Sequence, residues 1–166
     1  MTFLDSATDD PKPAQRRALL AFVALTLVVG AAGSIFTEPN IATWYAGLRQ
    51  PTFAPPNWVF APVWTTLYVM MAVAAWRVWR ITGTRSFPMA AWGVQLALNF
   101  AWSALFFGLH QIGLALLEIA LMWLAILVTT LQFARHDRLA ALLLLPYLGW
   151  VSFAAALNHA FWTLNP

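Results

Sequence analysis

The side chains best suited to hold a ligand lie in one apolar stretch, where Gln95, Asn99 and Trp102 recur at intervals of three or four residues. A step of about 100° per residue places these three on one face of an α-helix, together with Trp92 and Ser103. Amides in hydrocarbon are costly unless they are hydrogen-bonded, so Gln95 and Asn99 are expected to point into a helical bundle. There they either bond neighbouring helices or line a ligand cavity, and the sequence leaves both interpretations open.

The opposite face of the same helix carries only small residues. They are Ala90, Gly93, Ala97, Ala101, Ala104 and Gly108. Small residues four apart let helix backbones approach closely in lipid. This face therefore predicts a packing or dimer surface, centred on Gly93, Ala97 and Ala101.

Other chemically capable groups are few. Glu118 is the only carboxylate inside an apolar stretch, which makes it a functional candidate by default. It lies about two turns from the start of its predicted helix, so a structural role is the alternative. The histidines (His110, His136 and His159) are dispersed, cysteine is absent, and no ligand spacing suits a metal. No catalytic triad, phosphate loop or dinucleotide fingerprint is present either, so no catalytic residue is predicted from the residues alone.

Five long apolar runs must position these side chains. The chain has 166 residues, of which 61% are hydrophobic and 9% charged, whereas soluble domains carry about 25% charged residues. The runs, each near the roughly 20 residues that cross a bilayer, are 18–37, 60–80, 86–107, 112–134 and 139–162. The sequence thus predicts an all-α integral membrane protein, a bundle of five transmembrane helices forming one domain over residues 18–162. The net charge of +3 comes without a basic stripe, so no nucleic-acid partner is expected.

The cations divide unevenly between the two ends of such a bundle. Eight of the nine fall at the end that holds the N-terminus: Lys12, Arg16, Arg17, Arg77, Arg80, Arg85, Arg135 and Arg138. Only Arg49 falls at the other end. The positive-inside bias then places the N-terminus in the cytoplasm, and the first loop and the C-terminus on the opposite side. Residues 1–17 are expected to form a polar, disordered tail, with a cleaved signal peptide as the alternative.

Tryptophan and proline are concentrated unusually. Residues 38–59, between the first two runs, form an aromatic and proline-rich segment that predicts a long ordered loop acting as a lid. An interfacial aromatic belt accounts for some of the ten tryptophans: Trp44, Trp76, Trp79 and Trp162. Others lie deeper: Trp64, Trp102, Trp123 and Trp150. Buried indoles offer flat faces and one N–H donor, which suit a large planar apolar ligand.

Several segments carry a family resemblance. They are Trp44-Tyr45-Ala46-Gly47-Leu48 through Pro51, Pro55-Pro56-x-Trp58-Val59, Pro62-Val63-Trp64-x-x-Leu67-Tyr68, Gln95 to Trp102 with Phe106-Phe107-Gly108, and Pro146-Tyr147-Leu148-x-Trp150 with Leu157-Asn158. Together they resemble the signature of the tryptophan-rich sensory protein and translocator protein family (TspO/MBR, the peripheral-type benzodiazepine receptors). The resemblance covers about residues 30–162, in order.

That resemblance implies a five-helix bundle that often dimerises, here through the third helix. It implies a lidded cavity for porphyrins such as protoporphyrin IX, with no cofactor required and membrane lipid as the surrounding partner. The ligand-binding residues it points to are Trp44, Phe60, Ala61, Pro62, Trp64, Gln95, Asn99, Trp102, Trp150, Ala154 and Leu157. The expected function is tetrapyrrole sensing, transport or buffering.

Two alternatives accompany this expectation. One is light- and oxygen-dependent porphyrin degradation, for which Trp64 and Trp150 match the tryptophans associated with the reaction in the family. The other is a translocator that binds sterol or lipid. In the sterol-recognition stretch of animal members, a Tyr and then an Arg follow the Leu-Asn pair, but here His159 follows Leu157-Asn158 and neither residue is present. The departure favours tetrapyrrole over sterol.

Overall fold

The computed structural model describes residues 11–166 and shows a bundle of long helices. They are α1 (Pro11–Asn40), α2 (Phe60–Thr82), α3 (Phe87–Ser103), α4 (Ile112–Ala134) and α5 (Arg138–Leu164). Within the described residues, these five elements are long and apolar enough to cross a membrane. The predicted all-α membrane fold with five spanning helices is therefore confirmed.

The first helix is longer at both ends than the predicted run 18–37. It includes residues 11–17 of the expected disordered tail, whereas residues 1–10 lie outside the described range. At its other end it passes through Pro39 and continues as a π-helical turn, Ile41–Tyr45. Pro39 has no N–H to donate to the Ile35 carbonyl, so the helix loses one backbone hydrogen bond there. One residue further on, the Asn40 side chain donates to the Phe36 carbonyl at 2.9 Å. The irregular part of the predicted lid, residues 38–59, is thereby confined to about residues 48–56.

A second π-helical turn, Ala104–Gly108, ends α3 and packs against the extension of α1. Trp44 lies edge-on to Phe106, with ring centroids 5.5 Å apart. A Cβ at Gly108 would come within 2.8 Å of the Phe36 ring, so this close approach requires glycine. Aromatic packing between the two turns explains why the helix continues past Pro39.

The opposite end of the bundle, where α1 starts and α4 turns into α5, holds an ion pair. Arg77 of α2 lies 2.7 Å from Asp137, whose carboxylate also caps α5 by accepting from the backbone N–H groups of Leu139 and Ala140 at 2.9 and 3.1 Å. Burial opposes ionisation, but the Ala140 N–H and the Arg77 guanidinium outweigh it and hold the pKa of Asp137 below its usual range. The Arg77–Asp137 ion pair therefore links α2 to the start of α5.

Candidate functional site

Asn99 is the centre of a hydrogen-bonded network inside the bundle. Its side-chain oxygen accepts from the Tyr68 hydroxyl at 2.6 Å, and its amide nitrogen donates to the Tyr147 hydroxyl at 3.2 Å. The Tyr147 hydroxyl in turn donates to the Met122 sulfur at 3.7 Å. Asn99 is buried, as expected, and its hydrogen bonds tie α2, α3 and α5 together.

The indole N–H of Trp102 is also hydrogen-bonded within the bundle. Its indole N–H donates to the Asn158 side-chain oxygen at 3.0 Å, and the Asn158 amide donates to the Ile112 carbonyl at 3.0 Å. The indole also stacks on Phe106, with centroids 5.1 Å apart and planes at 20°. The polar groups of both Asn99 and Trp102 therefore already have hydrogen-bond partners within the protein.

Gln95 differs from these two residues. Its side chain is 1% exposed, and within the described residues neither its amide oxygen nor its amide nitrogen has a hydrogen-bond partner. The same holds, over the same residues, for the indole N–H of Trp150, for both carboxyl oxygens of Glu118 and for the indole N–H of Trp92. Buried polar atoms are nearly always paired with protein, water or ligand. Gln95 and Trp150 are therefore the predicted site residues whose buried polar atoms remain available to a ligand.

A groove of about 470 Å³ runs between α2 and α5 and is open on the outer surface of the bundle. Its lining is almost wholly apolar: Pro62, Val63, Thr66, Leu67, Met70, Pro146, Gly149, Trp150 and Phe153. Gly149 has no side chain to fill this space, since a Cβ built there would meet no atom of the described chain within 4 Å. Phe60 closes one end, edge-on to Trp150 with centroids 5.8 Å apart. The structure thus places Phe60, Pro62 and Trp150 together.

The remaining inward residues of the predicted site lie around the polar network. Trp64 is half-buried, and its ring centroid lies 5.7 Å from that of Tyr68 and 6.2 Å from that of Tyr147. Ala154 packs against the same core, whereas Leu157 is buried in a separate cluster at the end of the bundle that holds the two π-helical turns. These side chains surround the interior without sharing the groove.

Two predicted ligand residues lie elsewhere. Ala61 is exposed on the first turn of α2. Trp44 stacks on His110, with ring centroids 4.2 Å apart and planes at 14°. His110 has a left-handed backbone (φ 56°) and hydrogen-bonds Asn40 at 3.0 Å. The face of Trp44 is thereby covered by the protein itself.

Sequence reasoning gave no role to Tyr68, Tyr147 and Asn158, which complete the internal network. Their signal is a hydroxyl or an amide within an otherwise apolar run, the same criterion that singled out Gln95 and Asn99. The hydrogen-bond partners within this network depend on how α2, α3 and α5 pack together. Residue spacing along the chain does not predict them.

The small-residue face of α3 has few neighbours among the described residues. Gly93 and Ala97 are exposed, and Ala101 is half-buried. A Cβ built at Gly93 would meet nothing within 4 Å among the residues described. This face is free to contact lipid or another helix.

These features define a class: a five-helix membrane protein with an aromatic groove, an internal amide–tyrosine network and an unpartnered small-residue helix face. The TspO/MBR family profile matches residues 22–163, and the chain belongs to this family. It is 44% identical over 149 residues to the tryptophan-rich protein TspO of Archaeoglobus fulgidus, covering 89% of this chain and 96% of the relative.

Similarity extends to bacterial and animal relatives. The chain is 39% identical over 140 residues to protein CrtK of Rhodobacter capsulatus, covering 82% of this chain and 86% of the relative. It is 41% identical over 137 residues to the translocator protein of Homo sapiens, covering 80% and 81%. The predicted family is therefore confirmed.

Proposed function

We propose that this protein binds a planar apolar ligand of the tetrapyrrole type, such as protoporphyrin IX, between α2 and α5. The ring system lies in the apolar groove against Trp150. Its polar edge reaches inward past the groove lining to the buried Trp150 N–H and to the Gln95 amide of α3, which does not itself line the groove. One observation carries the proposal: the Trp150 indole, whose N–H has no partner among the described residues, also lines the groove.

The size and chemistry of the groove support this ligand class. Its volume of about 470 Å³ lies within the range of roughly 300–1,000 Å³ typical of small-molecule sites. Such sites combine apolar and aromatic walls with a few polar groups that orient the ligand. A groove open to the outside of spanning helices favours a ligand that partitions into the bilayer over one dissolved in water.

In this proposal the protein senses, carries or buffers the ligand within the membrane. Arg49 is the one cation at the loop end, so the N-terminus is assigned to the cytoplasm and the first loop to the opposite side. The exposed α3 face around Gly93 and Ala97 is assigned to a homodimer contact, because small faces permit close helix packing in lipid.

The test is a titration of the purified full chain with protoporphyrin IX, followed by the shift of the porphyrin Soret band. Gln95→Leu deletes an amide at similar size, and Trp150→Phe deletes the indole N–H together with part of the ring that lines the groove. Each should weaken binding at least about three- to tenfold, the effect of one hydrogen bond. Trp162→Phe is the matched control, because Trp162 is exposed near the end of α5, and it should leave the affinity unchanged.

Wild-type affinity in both Gln95→Leu and Trp150→Phe would defeat the assigned site. Illumination of the bound complex separates binding from degradation. Loss of the Soret band faster than with the Trp150→Phe variant at equal occupancy would indicate the enzymatic alternative instead.

A further inference from the structure

A second groove, of about 360 Å³, lies at the cationic end of the bundle, far from the groove between α2 and α5. Its lining residues come from the start of α1 and from the end of α2 with the turn that follows: Gln15, Trp79, Arg80, Gly83 and Thr84. None of them belongs to the proposed tetrapyrrole site. The lining is amphipathic, with a guanidinium, an amide and a hydroxyl beside an indole.

Arg80 is held in position at this groove. Its guanidinium carbon lies 3.9 Å from the centroid of the Trp76 ring, within the range of a cation–π interaction. Trp76 is itself fixed, because its indole N–H donates to the backbone carbonyl of Gln15 at 3.1 Å. The stack orients the guanidinium while leaving its N–H groups available as donors.

Trp79, which also lines this groove, is held in place by its own contacts. The indole N–H of Trp79 donates to the Thr84 hydroxyl at 3.0 Å, and the Trp79 ring packs edge-on against Phe22, with centroids 5.8 Å apart. The groove therefore needs little reorganisation to accept a ligand.

The charges at this end are not balanced by the described protein. Over residues 13–166, the single carboxylate within 4 Å of a cation is Asp137, and it pairs with Arg77. Arg80 and Arg85 are exposed, so the groove presents positive charge with no carboxylate of the described chain against it.

We propose that this groove binds the phosphate headgroup of an anionic phospholipid from the leaflet at the cationic end. The phosphate oxygens accept from Arg80, and the first carbons of an acyl chain lie along Trp79. Two features favour a lipid over a free anion. The groove lies at the ends of spanning helices, where headgroups are found, and its indole wall suits the apolar part of the same molecule.

The experiment is native mass spectrometry of the full chain released from bilayers of equal phosphatidylcholine and phosphatidylglycerol. Wild type should retain phosphatidylglycerol preferentially. Arg80→Gln should reduce that retention about fivefold, the effect of one cation near an anionic headgroup. Arg135→Gln is the matched control, because Arg135 is exposed at the same end but does not line the groove, and it should leave retention unchanged. Trp76→Leu should act like Arg80→Gln while keeping the wild-type helical content by circular dichroism.

Three results would overturn the proposal. Equal losses in Arg80→Gln and Arg135→Gln would show attraction to general surface charge. Displacement of the lipid by millimolar inorganic phosphate would assign the groove to a free anion. Wild-type retention of phosphatidylglycerol in Arg80→Gln, at unchanged helical content, would show that the groove does not hold the headgroup.

Discussion

Replacing Asn99 with leucine tests whether the central amide holds the fold or the ligand. The substitution removes the hydrogen bonds to Tyr68 and Tyr147 while keeping the number and branching of the side-chain heavy atoms. Hydrogen bonds between helices in membranes average about 0.6 kcal/mol, so losing two costs about 1 kcal/mol. The Tyr68 hydroxyl is then left without its partner in the interior, which adds about 1–3 kcal/mol. We expect a total loss of about 2–4 kcal/mol in the free energy of unfolding.

The measurement is reversible unfolding in mixed micelles on titration with dodecyl sulfate, followed by circular dichroism. Tyr68→Phe combined with Asn99→Leu completes a double-mutant cycle, in which the pair should show a coupling energy of at least about 0.5 kcal/mol. Gln95→Leu is the contrast, because its amide has no partner over the described residues, and it should not reduce stability. The reasoning fails if Asn99→Leu leaves stability unchanged and weakens porphyrin binding as Gln95→Leu is expected to do.

Two further predictions concern the cationic end and the exposed helix face. Asp137→Asn keeps a good N-cap residue for α5 but removes the charge paired with Arg77, and should cost about 1 kcal/mol at pH 7. The pKa of Asp137 is lowered in the folded state, so its stabilisation is present above the unfolded pKa of about 3.9 and disappears as pH falls through the lower folded value. The difference in unfolding midpoint between wild type and Asp137→Asn should therefore shrink towards pH 3. Ala97→Phe adds bulk to an exposed position and should yield monomers by light scattering with unchanged helical content, whereas persistent dimers would place the interface on another face.

Hydropathy located the helices well where composition and packing agree. The predicted run 112–134 coincides with α4, and the predicted starts of the second and fifth helices lie within one residue of the observed ones. The first helix was predicted to end near residue 37 because the uncharged run stops at Glu38. Its continuation depends on contacts with Phe106 and Phe107, distant in sequence, which override the local signal.

The candidate site was predictable in part, for a related reason. Helical periodicity correctly placed Gln95 and Asn99 in the interior, since the cost of exposing an amide to hydrocarbon depends only on the face it occupies. It could not separate their roles. The Asn99 side chain is hydrogen-bonded because Tyr68 and Tyr147 reach it from other helices. The sequence pattern of one helix does not show which hydroxyl of another helix will bond to it.

A ligand could reach the interior of the bundle either past the segment after α1 or through the groove between α2 and α5. The irregular segment after α1 is anchored to the C-terminus, since the Arg49 N–H donates to the Asn165 side chain at 2.9 Å and the Asn165 amide donates to the Arg49 carbonyl at 3.1 Å. Just before it, Trp44 is stacked on His110. Entry beneath this segment would break both sets of contacts. The groove between α2 and α5 needs no such rupture, because Pro146 and Gly149 already leave space beside Trp150. A ligand dissolved in the bilayer thus meets less resistance at the side of the bundle than beneath residues 48–56.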